Sequence, residues 1–366
     1  MELRQGTVES VAVNPDFWKG KRILLTGHTG FKGGWLAIWL QRLGTELVGY
    51  ALPPPTTPNL FEVASVAEGM VSVIGDVRDF TRLREVITLH NPEIVVHMAA
   101  QSLVRPSYED PVATYATNVM GTVHVLEAVR RIGTVRVVLV VTSDKCYSNR
   151  EWLWSYREED ALGGHDPYSN SKACAELVTS AFRDSFFCSS ASGQDIAVAS
   201  ARAGNVIGGG DWARDRLIPD IFRAVESGKP VILRNPMAVR PWQHVLEPLS
   251  GYLLLAERLW RDGNTHSDAW NFGPSDDDAK PVSWVAEELL RRWHVNPGWR
   301  IDDTKQAHES QSLKLDCAKA RVRLGWAPRT NLSVALDWVA QWHRAHHERQ
   351  DMRDVTQAQI AAFTAL

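Results

Sequence analysis

The segment running from Arg22 to Tyr50 constrains the fold more than any other. Arg22-Ile-Leu-Leu-Thr26 is a short apolar run of the kind that forms a strand buried on both faces. It passes at once into a glycine-rich turn, Gly27-His-Thr-Gly30-Phe-Lys-Gly33. A helical pattern follows, with Leu36, Trp39, Leu40 and Leu43 on one face and Gly44 at its end, and 46–50 reads as a second strand. Strand, glycine turn, helix and strand together make a βαβ unit suited to a dinucleotide. Gly27 allows the tight turn, Gly30 lets a pyrophosphate approach the backbone, and Gly33 lets the helix pack on the strand. The helix N-terminus then faces the phosphates with its unpaired N–H groups.

The alternation continues along the chain. Strands are expected at 70–74, 94–97, 135–142 and 196–202, and helices at 83–90, at 112–132 and from near Pro167, with Asp166 as its N-cap. This predicts an α/β fold, a Rossmann-type doubly wound parallel sheet with helices on both faces. From about Gly204 the character changes to loops rich in Gly, Pro, Trp and Arg between short helices. That half is expected to form a smaller, mixed α/β C-terminal substrate-binding domain. The expected division is 16–203 and 204–366, with some segments returning to the first domain. The tail from Asn331 carries amphipathic helix with Leu336, Val339 and Trp342 on a shared side.

Composition narrows the function classes. Among 366 residues, 40 Lys and Arg stand against 43 Asp and Glu, a net charge of −3, so neither nucleic acid nor an anionic membrane is an expected partner. The four cysteines (Cys146, Cys174, Cys188 and Cys317) lack CxxC or zinc-like spacing and read as unpaired thiols of a reducing compartment. No signal-peptide core and no run of roughly 20 apolar residues occurs, so a cytoplasmic location is expected. His343, His346 and His347 read as a solvated helix face and Asp276 to Asp278 as an exposed loop, so no metal site is expected.

The chemistry concentrates in two runs, Thr142-Ser143-Asp144-Lys145 and Tyr168-Ser-Asn-Ser-Lys172. Tyr168 and Lys172 lie four residues apart on a helix, roughly 5–6 Å apart at Cβ. The ammonium favours the phenolate, so the Tyr can act as a base near neutrality. Moving hydride to and from an alcohol needs only that Tyr. The added Asp144/Lys145 pair points to more than a redox step. For the cofactor, no Asp or Glu follows the second strand to take a ribose hydroxyl, yet no Lys or Arg occurs between Leu43 and Val77 to hold a 2′-phosphate. Lys32 is the nearby cation, Asp76 could accept from an adenine amine, and NAD is favoured over NADP.

These residues together resemble an extended short-chain dehydrogenase/reductase acting on a nucleotide sugar. The glycine turn, Asp76-Val77-Arg78, His97-Met-Ala99-Ala100-Gln101, Thr142-Ser-Asp-Lys145 and Tyr168-x-x-x-Lys172 stand in the family's order, from about Trp18 to Trp342. Within it the chain is most similar to the CDP-glucose 4,6-dehydratases. The carriers of that resemblance are 27–35, 201–212 and 240–245, together with Lys145 where dTDP-glucose dehydratases carry Glu. The acidic residue usual after the second strand is replaced by a Pro-rich turn.

The resemblance implies that Thr29, Phe31, Lys32, Val77, Ala99, Ala100, Gln101 and Thr142 join Gly27, Gly30, Gly33, Asp76, Tyr168 and Lys172 in holding NAD. It implies that CDP-glucose is the substrate. Tyr168 with Lys172 would take the C4 hydroxyl proton and Ser143 would hold that oxygen. Lys145 would be the base at C5, a role that asks for a lowered pKa, and Asp144 the acid at C6, which asks for a raised one. A diphosphate needs cations, for which Arg202, Arg216, Arg234 and Arg240 are candidates, with Asn205 and Ser102 as polar contacts. Trp212 or Trp242 could stack on the base. A homodimer or homotetramer is expected, with the helices at 112–132 and 167–182 pairing between copies. The rival readings are a nucleotide-sugar 4-epimerase, which needs no acid or base at C5 and C6, and a non-catalytic sensor.

Overall fold

The computed structural model describes residues 11–188, 195–295, 298–302 and 312–366. Its centre is a seven-stranded sheet. In chain order the strands are β1 (Arg22–Thr26), β2 (Glu46–Ala51), β3 (Val71–Ile74), β4 (Ile94–His97), β5 (Val137–Val141), β6 (Ala197–Ala203) and β7 (Ala269–Phe272). Their spatial order is 3-2-1-4-5-6-7 and every pairing is parallel. β5 is Val137-Val-Leu-Val-Val141, with each residue buried, as a strand covered on both faces requires. The strand order reverses between β1 and β4, and in such sheets ligands bind outside the carboxyl ends at that reversal.

The helices used below are α1 (Phe31–Arg42), α2 (Phe80–His90), α3 (Gly121–Ile132), α4 (Pro167–Phe182), α5 (Leu217–Ser227), α6 (Leu246–Asp262), α7 (Val282–Arg292), α8 (Leu332–His347) and α9 (Met352–Thr364). One core layer contains Trp35, Leu36, Trp39, Leu253 and Trp270, and the opposite layer contains Val86, Val95, Val125, Val129 and Val138. A third cluster, with Ile218, Phe222, Trp242, Val285, Leu336 and Val339, holds the second half together.

Three expectations need correcting. The six expected strands omit a seventh: β7, from the second half, pairs beside β6 through Ala269 to Phe272, and α6 packs against β5 and β6. The helix expected over 112–132 is interrupted, with a short helix at Pro111–Tyr115 and a π-helical turn at Ala116–Met120 before α3. That widened turn carries Asn118, whose amide bonds both backbone groups of Gln101 and the Ser171 hydroxyl, so it ties the loop after β4 to α4. The polar tail readings also change. His343 is buried and stacked on Phe222 at 3.6 Å between ring centres, and buried Asp278 accepts the Leu332 N–H at 2.8 Å. Among the described residues no His, Cys, Asp and Glu cluster is arranged to hold a metal, and no helix is long and apolar enough to cross a membrane.

Candidate active site

The glycine turn at the end of β1 is forced by close packing. Gly27 has φ +82°, and a Cβ on Gly33 would lie 2.0 Å from the Gly27 carbonyl oxygen. No side chain caps the first turn of α1, so its N–H groups open into the cleft. A cavity of about 1360 Å³ begins here. It is walled by Gly27, Thr29, Gly30, Phe31, Lys32 and Gly33, by Asp76, Val77, Ala99 and Ala100, and farther along by Thr142, Tyr168 and Lys172. A dinucleotide fits this cradle: the wall has no Cβ where a pyrophosphate must approach, and the helix end supplies donors.

Asp76, expected at the adenosine end, lies on the cavity wall with partners of its own. Buried Tyr50 at the end of β2 donates its hydroxyl to the Asp76 carbonyl oxygen at 2.9 Å. The Asp76 carboxylate is engaged by the Arg78 guanidinium at 2.6 Å, a bond that holds its pKa below the usual range. Thr29 donates to the Leu52 carbonyl oxygen. Gln101 turns its side chain to Leu103 and Thr114 and is off the cavity wall, a loop anchor where a cofactor contact was expected. Lys32 Nζ donates to the Tyr252 hydroxyl at 3.0 Å. Burial, with Lys172 and Arg216 nearby, brings the Lys32 pKa down to about 7.

The groups expected to be catalytic converge from the end of β5 and from α4. Asp166 caps α4 by accepting the Ser169 N–H, with Pro167 opening the helix, and the Tyr168 N–H donates to the Ser107 hydroxyl at 3.1 Å. Ser143 donates to Asp144 Oδ1 at 3.0 Å and also meets the Tyr168 phenol. Lys172 Nζ donates to the Val141 carbonyl oxygen at 3.2 Å. Burial lowers its pKa to about 8, with Glu176 opposing. Tyr168 departs from expectation. Burial pushes the phenol up to about 12, so the polypeptide alone does not bring it near neutrality, although the Ser143 bond and the Arg216 charge act in that direction.

Asp144 is buried, and its Oδ2 has no hydrogen-bond partner among the described residues. Burial raises its pKa, against the opposing pull of Lys145, Ser143 and Arg240. Lys145 is half-buried on the cavity wall.

Among the expected substrate contacts, Ser102, Asn205, Trp212, Arg216, Arg234 and Arg240 all line the cavity. Arg216 bonds Asp211 at 2.9 Å and Ser102 at 3.1 Å. Arg234 donates to the Asp215 carbonyl oxygen, and Arg240 to that of Val239. Trp212 sits edge-on to Trp342 and His346. Arg202 is the exception. It is 3% exposed, off the cavity wall, and ion-paired to Glu176 at 2.8 Å, because β6 is buried along its whole length. Sequence reasoning missed Tyr252, His346 and Glu176. Only Glu176 left a signal, as the next step of the 168, 172, 176 series.

The sequence profile of the GDP-mannose 4,6 dehydratase family matches residues 24–337. The chain belongs to that family. This family member is 53% identical over 352 residues to the CDP-glucose 4,6-dehydratase of Salmonella typhimurium, covering 96% of this chain and 98% of the relative. Its fold is shared with an epimerase of Methanothermobacter thermautotrophicus at TM-score 0.79 and 22% identity, over 91% of this chain and 95% of that one. A dTDP-glucose 4,6-dehydratase of Bacillus anthracis, solved in complex with NAD, superposes at TM-score 0.75 and 22% identity, over 90% and 99% of the two chains.

Proposed function

We propose that this protein is a hydro-lyase converting CDP-glucose to CDP-4-dehydro-6-deoxyglucose and water, with NAD as cofactor. The observation that carries the reading is Asp144. A buried carboxyl with raised pKa and an unpartnered oxygen, beside Ser143 and Tyr168, is suited to giving a proton at a carbon next to an oxidised centre. The 53% identity to a CDP-glucose 4,6-dehydratase supports the same substrate.

The glycine cradle, Val77, Ala99, Ala100 and Lys172 would hold NAD. Bound there, it would serve as a hydride acceptor for C4 and donor for C6, unchanged overall. Tyr168 takes the C4 hydroxyl proton, assisted by the cations Lys172 and Arg216, while Ser143 holds the oxygen in line. With C4 a ketone, the C5 hydrogen lies α to a carbonyl and becomes acidic. Lys145 removes that proton from the cavity wall. Asp144 protonates the C6 oxygen, the C6–O bond breaks and water leaves. Lys145 then returns a proton to C5 as C6 is reduced. Arg216, Arg234 and Arg240 supply positive charge for the diphosphate.

The exposed apolar side chains Val112, Met120 and Leu177 on the α3/α4 side support a homo-oligomer formed through these helices. Light scattering on the purified protein tests that. For the reaction, incubation with NAD and CDP-, dTDP-, UDP- or GDP-glucose separates the readings. Loss of one water with highest kcat/KM for CDP-glucose is expected. A product of unchanged mass identifies an epimerase, and tight binding without turnover identifies a sensor.

A further inference from the structure

One buried carboxylate lies beneath the catalytic groups and has no part in the steps above. Tyr168, Lys172 and Glu176 follow at four-residue intervals on α4, so one helix face carries phenol, ammonium and carboxylate in sequence, with about 5–6 Å between Cβ atoms per step. Glu176 is buried and off the cavity wall. Its Oε2 accepts from Arg202 at 2.8 Å and from Ser200 at 2.6 Å. Its Oε1 accepts from the Thr142 hydroxyl. Thr142 immediately precedes Ser143, Asp144 and Lys145. Arg202 is fixed in turn by the Tyr147 hydroxyl at 2.8 Å and the Glu158 carbonyl oxygen at 2.9 Å.

We propose that Glu176, held ionised by Arg202, is a positioning residue for the reaction. Its charge keeps Lys172 an ammonium, and its bond to Thr142 holds the strand end that presents Ser143, Asp144 and Lys145. This rests on the roles given above to Tyr168 and Lys172.

The electrostatic part follows from what surrounds Lys172. Burial removes the hydration of its ammonium and disfavours the charge. Tyr168 neighbours it on its own helix. From the turn after β5 comes Cys146, whose thiol burial raises far above its normal pKa, so it carries no charge. From β4 comes His97, brought down to about 3 by burial and therefore neutral. From α1 comes Lys32, a like charge. Among these described neighbours Glu176 supplies the negative charge. Burial by itself would protonate Glu176, and the Arg202 charge and bond, with Ser200 and Thr142, more than offset that. The pair therefore does what neither member could do alone in a dry interior.

The test begins without substrate or cofactor. The Lys172 ammonium is titrated by NMR on protein carrying isotope-labelled lysine, with the signal assigned by Lys172→Met. In Glu176→Gln the titration should fall by roughly one to two pH units, the effect of a unit charge roughly 6 to 10 Å away at an effective dielectric of about 20. The alkaline limb of the kcat profile with CDP-glucose should move the same way, with KM nearly unchanged, and Glu176→Asp should restore it. Because Glu176→Gln leaves a buried guanidinium unpaired, the double variant Glu176→Gln/Arg202→Met is measured alongside, and it too should lower the Lys172 titration. An unmoved titration in whichever variant folds overturns the proposal, as does a shifted titration with an unmoved kcat profile. If the wild type does not dehydrate any nucleotide sugar, the functional reading fails, while the titration still decides whether Glu176 governs Lys172.

Discussion

The Oδ2 atom of Asp144 occupies space that a side chain on residue 204 would claim. A Cβ at Gly204 would come within 2.7 Å of that oxygen and 3.2 Å of Pro241 Cγ. The carboxyl keeps its place against the wall between β5 and β6 only because residue 204 has no side chain. Both residues line the cavity, and that oxygen is itself buried with no hydrogen-bond partner among the described residues.

Gly204→Ala should therefore displace the Asp144 carboxyl and spare Tyr168. The expected result is C4 oxidation retained, with water loss slowed roughly a hundredfold or more, the usual weight of a general acid. Mass spectrometry of quenched reactions would show the 4-keto sugar accumulating with its C6 oxygen still in place. Unslowed water loss would remove Asp144 as the acid.

Tyr168→Phe removes the oxygen that meets Ser143 and leaves the ring packing in place. C4 oxidation should fall roughly a hundred- to ten-thousandfold. Rapid-mixing measurement of transient cofactor reduction checks this, and near-native transients would exclude Tyr168 as the base.

Lys145→Met separates the two halves of the reaction. C4 oxidation should remain measurable, while exchange of the C5 hydrogen with deuterated solvent slows roughly a hundredfold or more. Exchange at the native rate would assign the C5 proton to another group.

His343 gives a pH dependence of stability. Burial lowers its pKa from 6.5 to about 3, so in the fold the ring stays neutral against Phe222. Above about pH 6.5 both folded and unfolded states leave it neutral and it has no effect. As pH falls from about 6.5 toward 3, the unfolded chain takes up a proton that the fold refuses, and stability declines. His343→Phe should flatten that decline. Denaturant midpoints for the two proteins should converge or cross as pH is lowered from neutrality to about 5, and parallel curves would show that the ring does not titrate on unfolding.

Much of the fold was legible because its signals are local. The apolar run Arg22–Thr26, the glycine turn and the Asp166-Pro167 helix start each depend on residues within a few positions of one another, and each appears where the sequence places it. β7 was not legible, since Ala269-Trp-Asn-Phe272 becomes a sheet strand only by pairing with β6. Arg202 shows the same limit at the site. Its charge suggested an anionic ligand, and its place on the fully buried strand β6 gives it Glu176 instead.

By itself, the sequence determined the dinucleotide cradle and the spacing of Ser143, Asp144, Lys145, Tyr168 and Lys172, because backbone periodicity converts short separations directly into shared faces. Tertiary structure alone decided that Gly204 makes room for Asp144, that Tyr252 meets Lys32 across a separation of 220 residues, and that burial sets the proton affinities of Tyr168, Lys172 and Asp144. Contacts between distant segments and the loss of water around a charge exist only once the layers have packed, and no local pattern encodes them.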